Sequence, residues 1–132
     1  MRLFNSKTNQ LEDFKPIEEG KVRIYVCGPT VYDEIHIGNT RPMIVFDTLR
    51  RIFEASGYIV DMVSNYTDVD DKIINKALLE KVDERVITDR YIKAYNEIRS
   101  KLNTRTLAAS PRVTDTMGDI IAFIKQLVDE GY

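Results

Sequence analysis

The chain has 132 residues, 43% hydrophobic and 30% charged, the size and mixture of one soluble globular domain with room for a real core. Nineteen Lys and Arg stand against 21 Asp and Glu, a formal net charge of −2, which argues against a whole-domain basic footprint for nucleic acid. A single Cys rules out an intrachain disulfide framework and points to a reducing compartment. With neither an apolar leader nor the ~20 apolar residues that span a bilayer, the expectation is a cytoplasmic protein with no membrane partner.

Residues 2–14 look like a hairpin, because Leu3-Phe4 and Leu11…Phe14 flank a polar run of turn-forming residues. Pro16 and Gly20 punctuate a connector. Residues 21–27 are the clearest strand, with Val22, Ile24 and Val26 on one face, stopping at Gly28-Pro29. Residues 30–40 read as a loop. Residues 41–56 read as a helix with Pro42 in its first turn, a shared face of Phe46, Leu49, Ile52 and Phe53, and Gly57 as the left-handed residue that ends it. Residues 58–64 form a second strand, and strand–helix–strand spacing predicts parallel pairing through a crossover.

Thr67-Asp68-Val69-Asp70 resembles a capping box with Asp in place of Glu. It opens a helix from about residue 68 or 69 to 82, with Ile73, Ile74, Ala77 and Leu78 inward. A further helix, 84–102, carries the stripe Ile87, Tyr91, Tyr95, Ile98 and Leu102. Residues 103–112 read as a polar loop. Residues 115–130 read as a last helix, with Thr114 as its N-cap and Gly131 past its end. The expected fold is α/β, half of a doubly wound parallel sheet with additional helices. Such a half-sheet has an open, association-prone edge along residues 58–64.

The residues with chemical potential lie between Cys27 and Asn39, at the carboxyl end of the first strand, where open α/β sheets bind ligands. A helix N-terminus presents free N–H groups and partial positive charge. His36 beside it can stabilise charge developing on a phosphate, or it is simply a histidine in a tight turn. Gly38 permits close approach of backbone or ligand. Cys27 is either a small buried hydrophobe or a metal thiolate, but a lone Cys cannot make a zinc site of about four ligands. Thr67 and Asp68 close the second strand on the same edge and read either as caps or as ligand contacts. Asp68, Asp70 and Asp71 complement a helix dipole better than they suggest Mg²⁺. Tyr91 and Tyr95 read as core, and Arg50, Arg51, Lys76, Lys81 and Arg85 as solvated helix surface.

Three blocks then carry a resemblance: Val26-Cys27-Gly28-Pro29-Thr30-Val31-Tyr32-Asp33, His36-Ile37-Gly38-Asn39-Thr40-Arg41-Pro42, and Asn65-Tyr66-Thr67-Asp68-Val69-Asp70-Asp71-Lys72-Ile73-Ile74. With the opening Leu3-Phe4-Asn5-Ser6, they resemble the N-terminal catalytic segment of the cysteinyl-tRNA synthetases, a class I aminoacyl-tRNA synthetase family, over essentially the whole chain. The resemblance implies a Rossmann-like catalytic domain that activates cysteine with ATP, Mg²⁺ accompanying the nucleotide, and passes the cysteinyl group to tRNA(Cys). His36 and Asn39 match the first and last positions of the family's "HIGH" signature and are the implied catalytic residues. Here Asn stands for the last His, a departure that cysteine-specific members commonly show. Together with Gly38 they form the implied ATP-binding set. Cys27 matches the first ligand of the family's Zn²⁺, the remaining ligands being expected outside this chain. A zinc–thiolate contact rejects serine, whose hydroxyl is a poorer soft ligand. Gly28, Thr30 and Thr67 match positions around the bound cysteine.

The family's second ATP-phosphate element, a Lys-Met-Ser-Lys-Ser-type loop, is not found in this sequence. Residues 1–132 are therefore expected to be the N-terminal half of the Rossmann catalytic domain, poorly active and a poor zinc binder by itself. Two alternatives stand beside this reading. One is a cysteine–amino-sugar ligase of mycothiol synthesis, which shares the Cys27 and His36 motifs. The other is a non-catalytic nucleotide-binding paralogue.

Overall fold

The computed structural model describes residues 1–132. β1 (Arg2–Asn5) and β2 (Gln10–Asp13) form the expected hairpin, antiparallel, with Phe4 opposite Leu11. β3 (Lys21–Val26) pairs in parallel with β4 (Ile59–Ser64), from Lys21 opposite Ile59 to Val26 opposite Ser64. The helix α1 (Ile37–Ala55) connects them, so the strand–helix–strand unit is as expected. A small core of Val22, Phe53 and Val60 closes between α1 and the strands. Phe14 and Tyr58 stack against Phe53 at centroid distances of 4.8 and 5.8 Å, which docks the end of the hairpin onto this core. Gly57, at φ 89°, ends α1: its N–H donates to the Glu54 carbonyl and that of Tyr58 to the Phe53 carbonyl, a Schellman closure.

The start of α1 corrects the sequence reading. The helix begins at Ile37, so residues 37–40 are helical and Pro42 lies inside. His36 and Asn39 close a cap four residues ahead of the expected start. Pro42, without an N–H, leaves the Gly38 carbonyl without its usual donor.

α2 (Asp71–Glu80) is likewise shifted. Asp70, not Thr67, is its N-cap and accepts the Lys72 N–H at 2.9 Å. Ile73 and Ala77 are buried, whereas Ile74 and Leu78 are exposed, because α2 turns only a narrow stripe towards α3 (Glu84–Lys101). Ile87, Tyr91 and Tyr95 of α3 are buried as expected, with Ile98 and Leu102 half-buried. Ile87, Tyr91 and Tyr95 join Val31, Met43 and Tyr66 in the larger core, and Leu102 packs against it. Beyond α3, a 3-10 turn (Thr114–Thr116) leads into α4 (Met117–Asp129). Thr114 does not cap α4: its N–H and hydroxyl both donate to the buried Asp68 carboxylate. No residue of α4 is buried. No helix of the structure is long and apolar enough to cross a membrane.

Residues 103–112 are more than a polar loop. Arg50 donates to the Thr106 carbonyl and Arg51 to that of Asn103, each at 2.7 Å. Asp47 accepts the Arg105 N–H at 2.7 Å and pairs with Arg51 at 2.6 Å. Glu54 pairs with Arg50 and Arg105 at 2.8 and 2.9 Å. Arg50 and Arg51 are therefore not merely a solvated surface. The clamp lays the following residues along the outer edge of β4. Ala108 N–H donates to Met62, Ser64 N–H to Ala109, Tyr66 N–H to Pro111 and Val113 N–H to Tyr66. The edge expected to be open is covered over residues 62–66.

Burial pushes the Asp47 carboxyl up, but the Arg51 hydrogen bond and the Arg105 amide outweigh it and hold the group below the usual carboxylate value. Asp47→Asn is predicted to lower stability at pH 7 by about 2 kcal/mol, the scale of hydrogen bonds to a charged group, read from the urea midpoint. A folded pKa below the unfolded one contributes stability that is complete above the ordinary carboxylate pKa and is lost as pH falls through the lowered value. The gap between the two proteins should therefore close only in that acid range; equal midpoints at pH 7 would contradict the clamp.

Candidate functional site

Beyond Val26 and Ser64 the two parallel backbones draw together. A Cβ built at residue 28 would overlap the Asn65 carbonyl oxygen, so only glycine fits there. The Asn65 side-chain oxygen accepts the Gly28 N–H at 2.8 Å and the Tyr25 hydroxyl at 2.9 Å, and its amide donates to Thr67 Oγ1 at 3.2 Å. Pairing then resumes: Thr67 N–H donates to the Pro29 carbonyl at 3.0 Å and Val31 N–H to the Thr67 carbonyl at 3.2 Å, with Thr30 opposite Thr67. Gly28, Thr30 and Thr67 are thus gathered on one carboxyl edge. Thr67 serves the sheet there and leaves capping to Asp70.

Cys27 stands beside them with an exposed thiol, its Sγ 3.9 Å from the Gly28 carbonyl. The buried-hydrophobe reading is corrected, because β3 ends at Val26 and residue 27 leaves the sheet uncovered. Behind it lies a cavity of about 30 Å³, roughly the volume of one water.

His36, Gly38 and Asn39 form the second group, at the N-terminus of α1. The exposed His36 is the N-cap. Its Nδ1 accepts the Gly38 N–H at 3.0 Å, and its own N–H donates to the Asn39 side-chain oxygen at 3.0 Å. A Cβ at Gly38 would lie 2.7 Å from the imidazole, so this glycine makes room for the ring. With Nδ1 used as an acceptor, the neutral ring carries its proton on Nε2, which is free to donate. The tight-turn reading of His36 holds, since the turn it makes is the helix cap. The loop of residues 31–35 joins the two groups, and no hydrogen bond links them directly.

The aspartates divide. Asp70 caps α2, Asp71 lies in its first turn, and Asp68 is buried on Thr114, so Asp68 is not a dipole partner. No three His, Cys, Asp or Glu side chains are grouped to hold a metal ion. Cys27 is a single donor and not a complete zinc site. Sequence reasoning missed Asn65, although it directly follows the second predicted strand and precedes the Tyr66-Thr67 step that the reading did weigh. It also missed the pair formed by Lys76 and Asp33.

A parallel strand–helix–strand unit, its polar groups on the carboxyl edge beside a helix N-terminus, defines a partial Rossmann-like catalytic fold. Residues 13–132 match the model of the class I (C) tRNA synthetase catalytic domain. A cysteine–tRNA ligase of Caldicellulosiruptor saccharolyticus is 52% identical over 132 residues, and those of Oceanobacillus iheyensis and Staphylococcus haemolyticus are 54% and 58% identical. These matches cover 98% to 100% of the chain, which spans 28% of the length of each relative. The chain belongs to the class I (C) tRNA synthetase catalytic-domain family.

The close approach at residue 28 gives a direct test. Gly28→Ala should cost about 3 kcal/mol, the upper range for overpacking, because backbone and not a flexible side chain must yield. Gly118→Ala, at a site with nothing within 4 Å, should change stability by at most about 1 kcal/mol. Chemical denaturation compares them, and equal midpoints for the two variants would contradict the geometry.

Proposed function

We propose that this chain is part of a cysteine–tRNA ligase and supplies one side of the site where cysteine is activated with ATP. The observation that carries the reading is the His36 cap: a free imidazole N–H at a helix N-terminus, beside the carboxyl edge of a parallel sheet. Relatives 52–58% identical bear that name, which favours this reading over the amino-sugar ligase and the non-catalytic module. Residues 1–132 act as the first half of the Rossmann catalytic domain.

In this reading α1 directs its partial positive charge at the nucleotide phosphates. His36 Nε2–H donates to the charge that builds on the reacting phosphate, an interaction strongest in the transition state. The Asn39 side-chain oxygen is occupied by the His36 N–H, so its amide nitrogen is the group that reaches ATP. Gly38 keeps the backbone low against the ligand. Gly28, Thr30 and Thr67 floor the cysteine position. Thr67 Oγ1 already accepts from Asn65 and so turns its proton outward as a donor. Cys27 offers one thiolate to a Zn²⁺ whose other ligands this chain does not contain. Such a metal supplies a soft contact for the substrate sulfur. Mg²⁺ enters with ATP, and tRNA(Cys) is the acceptor for the whole ligase in the cytoplasm.

Pyrophosphate exchange with metal analysis tests this in a full-length ligase carrying this segment. His36→Ala should lower kcat by about 10²–10³ with little change in the KM for ATP. Cys27→Ser should lose zinc and cysteine activation together. A KM effect alone at His36, or full zinc with full activity in Cys27→Ser, would contradict the assigned roles.

A further inference from the structure

The start of α1 is held by its cap and lacks one backbone bond. Residues 36–39 are exposed, and Pro42 offers no N–H to the Gly38 carbonyl. The cap bonds fix His36 against Gly38 and Asn39, and the loop ahead of residue 36 is what leads the chain into that cap. Val31, 2% exposed, anchors that loop in the larger core with Tyr32 and Ile35 packed beside it. From α2, two lysines one turn apart reach back to it. Lys72 Nζ lies 5.1 Å from the centroid of the Tyr32 ring. Lys76 Nζ lies 2.9 Å from Asp33 Oδ1 and 4.6 Å from the centroid of the Tyr91 ring. The same Asp33 oxygen accepts the Glu34 N–H at 2.9 Å, which fixes the turn just ahead of His36. The Lys76 side chain is only 20% exposed, which corrects its reading as a solvated charge.

We propose that Lys76 and Asp33 form a positioning pair for His36: the α2 ammonium fixes the turn at residues 33–34 and so sets how the chain enters the α1 cap. The proposal rests on the ligase reading above and adds to it two residues that do not touch substrate. The charge states agree with the geometry. Contact with Tyr91 and then Asp33 holds the Lys76 ammonium above its ordinary pKa, and Lys76 followed by the Glu34 amide holds the Asp33 carboxyl below its own. Because Asp33 is more than half exposed, the pair adds little to folding. Its effect belongs on the rate.

In a full-length ligase carrying this segment, Lys76→Met and Asp33→Asn should each lower kcat for cysteine-dependent pyrophosphate exchange roughly tenfold, as misplacement of a catalytic group does. The KM for ATP should stay within about twofold and the melting temperature within a few degrees. Lys76→Arg should recover most of the rate, since a guanidinium reaches the same carboxylate. In a His36→Ala background, Lys76→Met should cost nothing further, the signature of action through His36. Unchanged kcat, an effect on KM instead, or a full loss retained in the His36→Ala background would overturn the proposal. Should Lys76→Met fail to fold, the nearly isosteric Asp33→Asn decides by the same criteria. A wild-type protein without exchange activity would instead defeat the ligase reading and this proposal with it.

Discussion

The backbones of Gly28 and Asn65 approach too closely to admit a side chain at residue 28, and the carboxyl edge of the sheet is arranged around that approach. Asn65 uses its side chain to hold Gly28 and Thr67 while its carbonyl fills the space of the missing Cβ. Beyond the irregular residues, pairing resumes at Thr30 and Thr67 one residue out of the β3–β4 register, because residues 27–29 face only residues 65–66. Backbone pairs and the Asn65 side chain hold this edge together without a large core beneath it.

α1 transmits the same order to the other half of the site. Phe53, near its C-terminal end, sits in the small core and Met43, nearer its start, in the larger one. Between them, Asp47 and its arginine neighbours clamp residues 103–106, which lead into the segment covering β4. One helix thus joins two cores and a third, strand-like segment. Its N-terminus still projects into solvent, where the His36 ring is fixed by a single amide hydrogen bond and by the space that Gly38 leaves for it.

The sequence was most legible where side-chain pattern and structure share a cause. β-Branched alternation marked β3, and the stripe of Ile87, Tyr91 and Tyr95 marked the buried face of α3. It was least legible where backbone or competing polar groups decide. Pro42 suggested a helix start because proline favours first turns, but a His–Asn cap nucleated the helix earlier, and His is not among the preferred N-cap residues. Thr67 lost its expected capping role to Asp70, three residues on, because the sheet uses its backbone. Residues 108–113 pair with β4 through backbone groups alone and leave no apolar alternation to read. Arg50, Arg51 and Lys76 looked solvated because their partners lie far away in sequence, the farthest 56 residues from Arg50. Of the residues now gathered at the edge and the cap, Gly28, Thr30, Thr67, His36, Gly38 and Asn39 were named from sequence, whereas Asn65 was not. Their division into a sheet-edge group and a helix-cap group was not, since no spacing encodes it.

The most direct test is a crystal structure of a full-length ligase carrying this segment, bound to a non-hydrolysable cysteinyl-adenylate analogue. The arrangement described here predicts the phosphate linkage within hydrogen-bond distance of His36 Nε2, with Nδ1 still accepting the Gly38 N–H and the cysteine moiety over Gly28 and Thr67. An analogue bound away from this edge, or a His36 ring turned so that Nδ1 faces the phosphate, would contradict it.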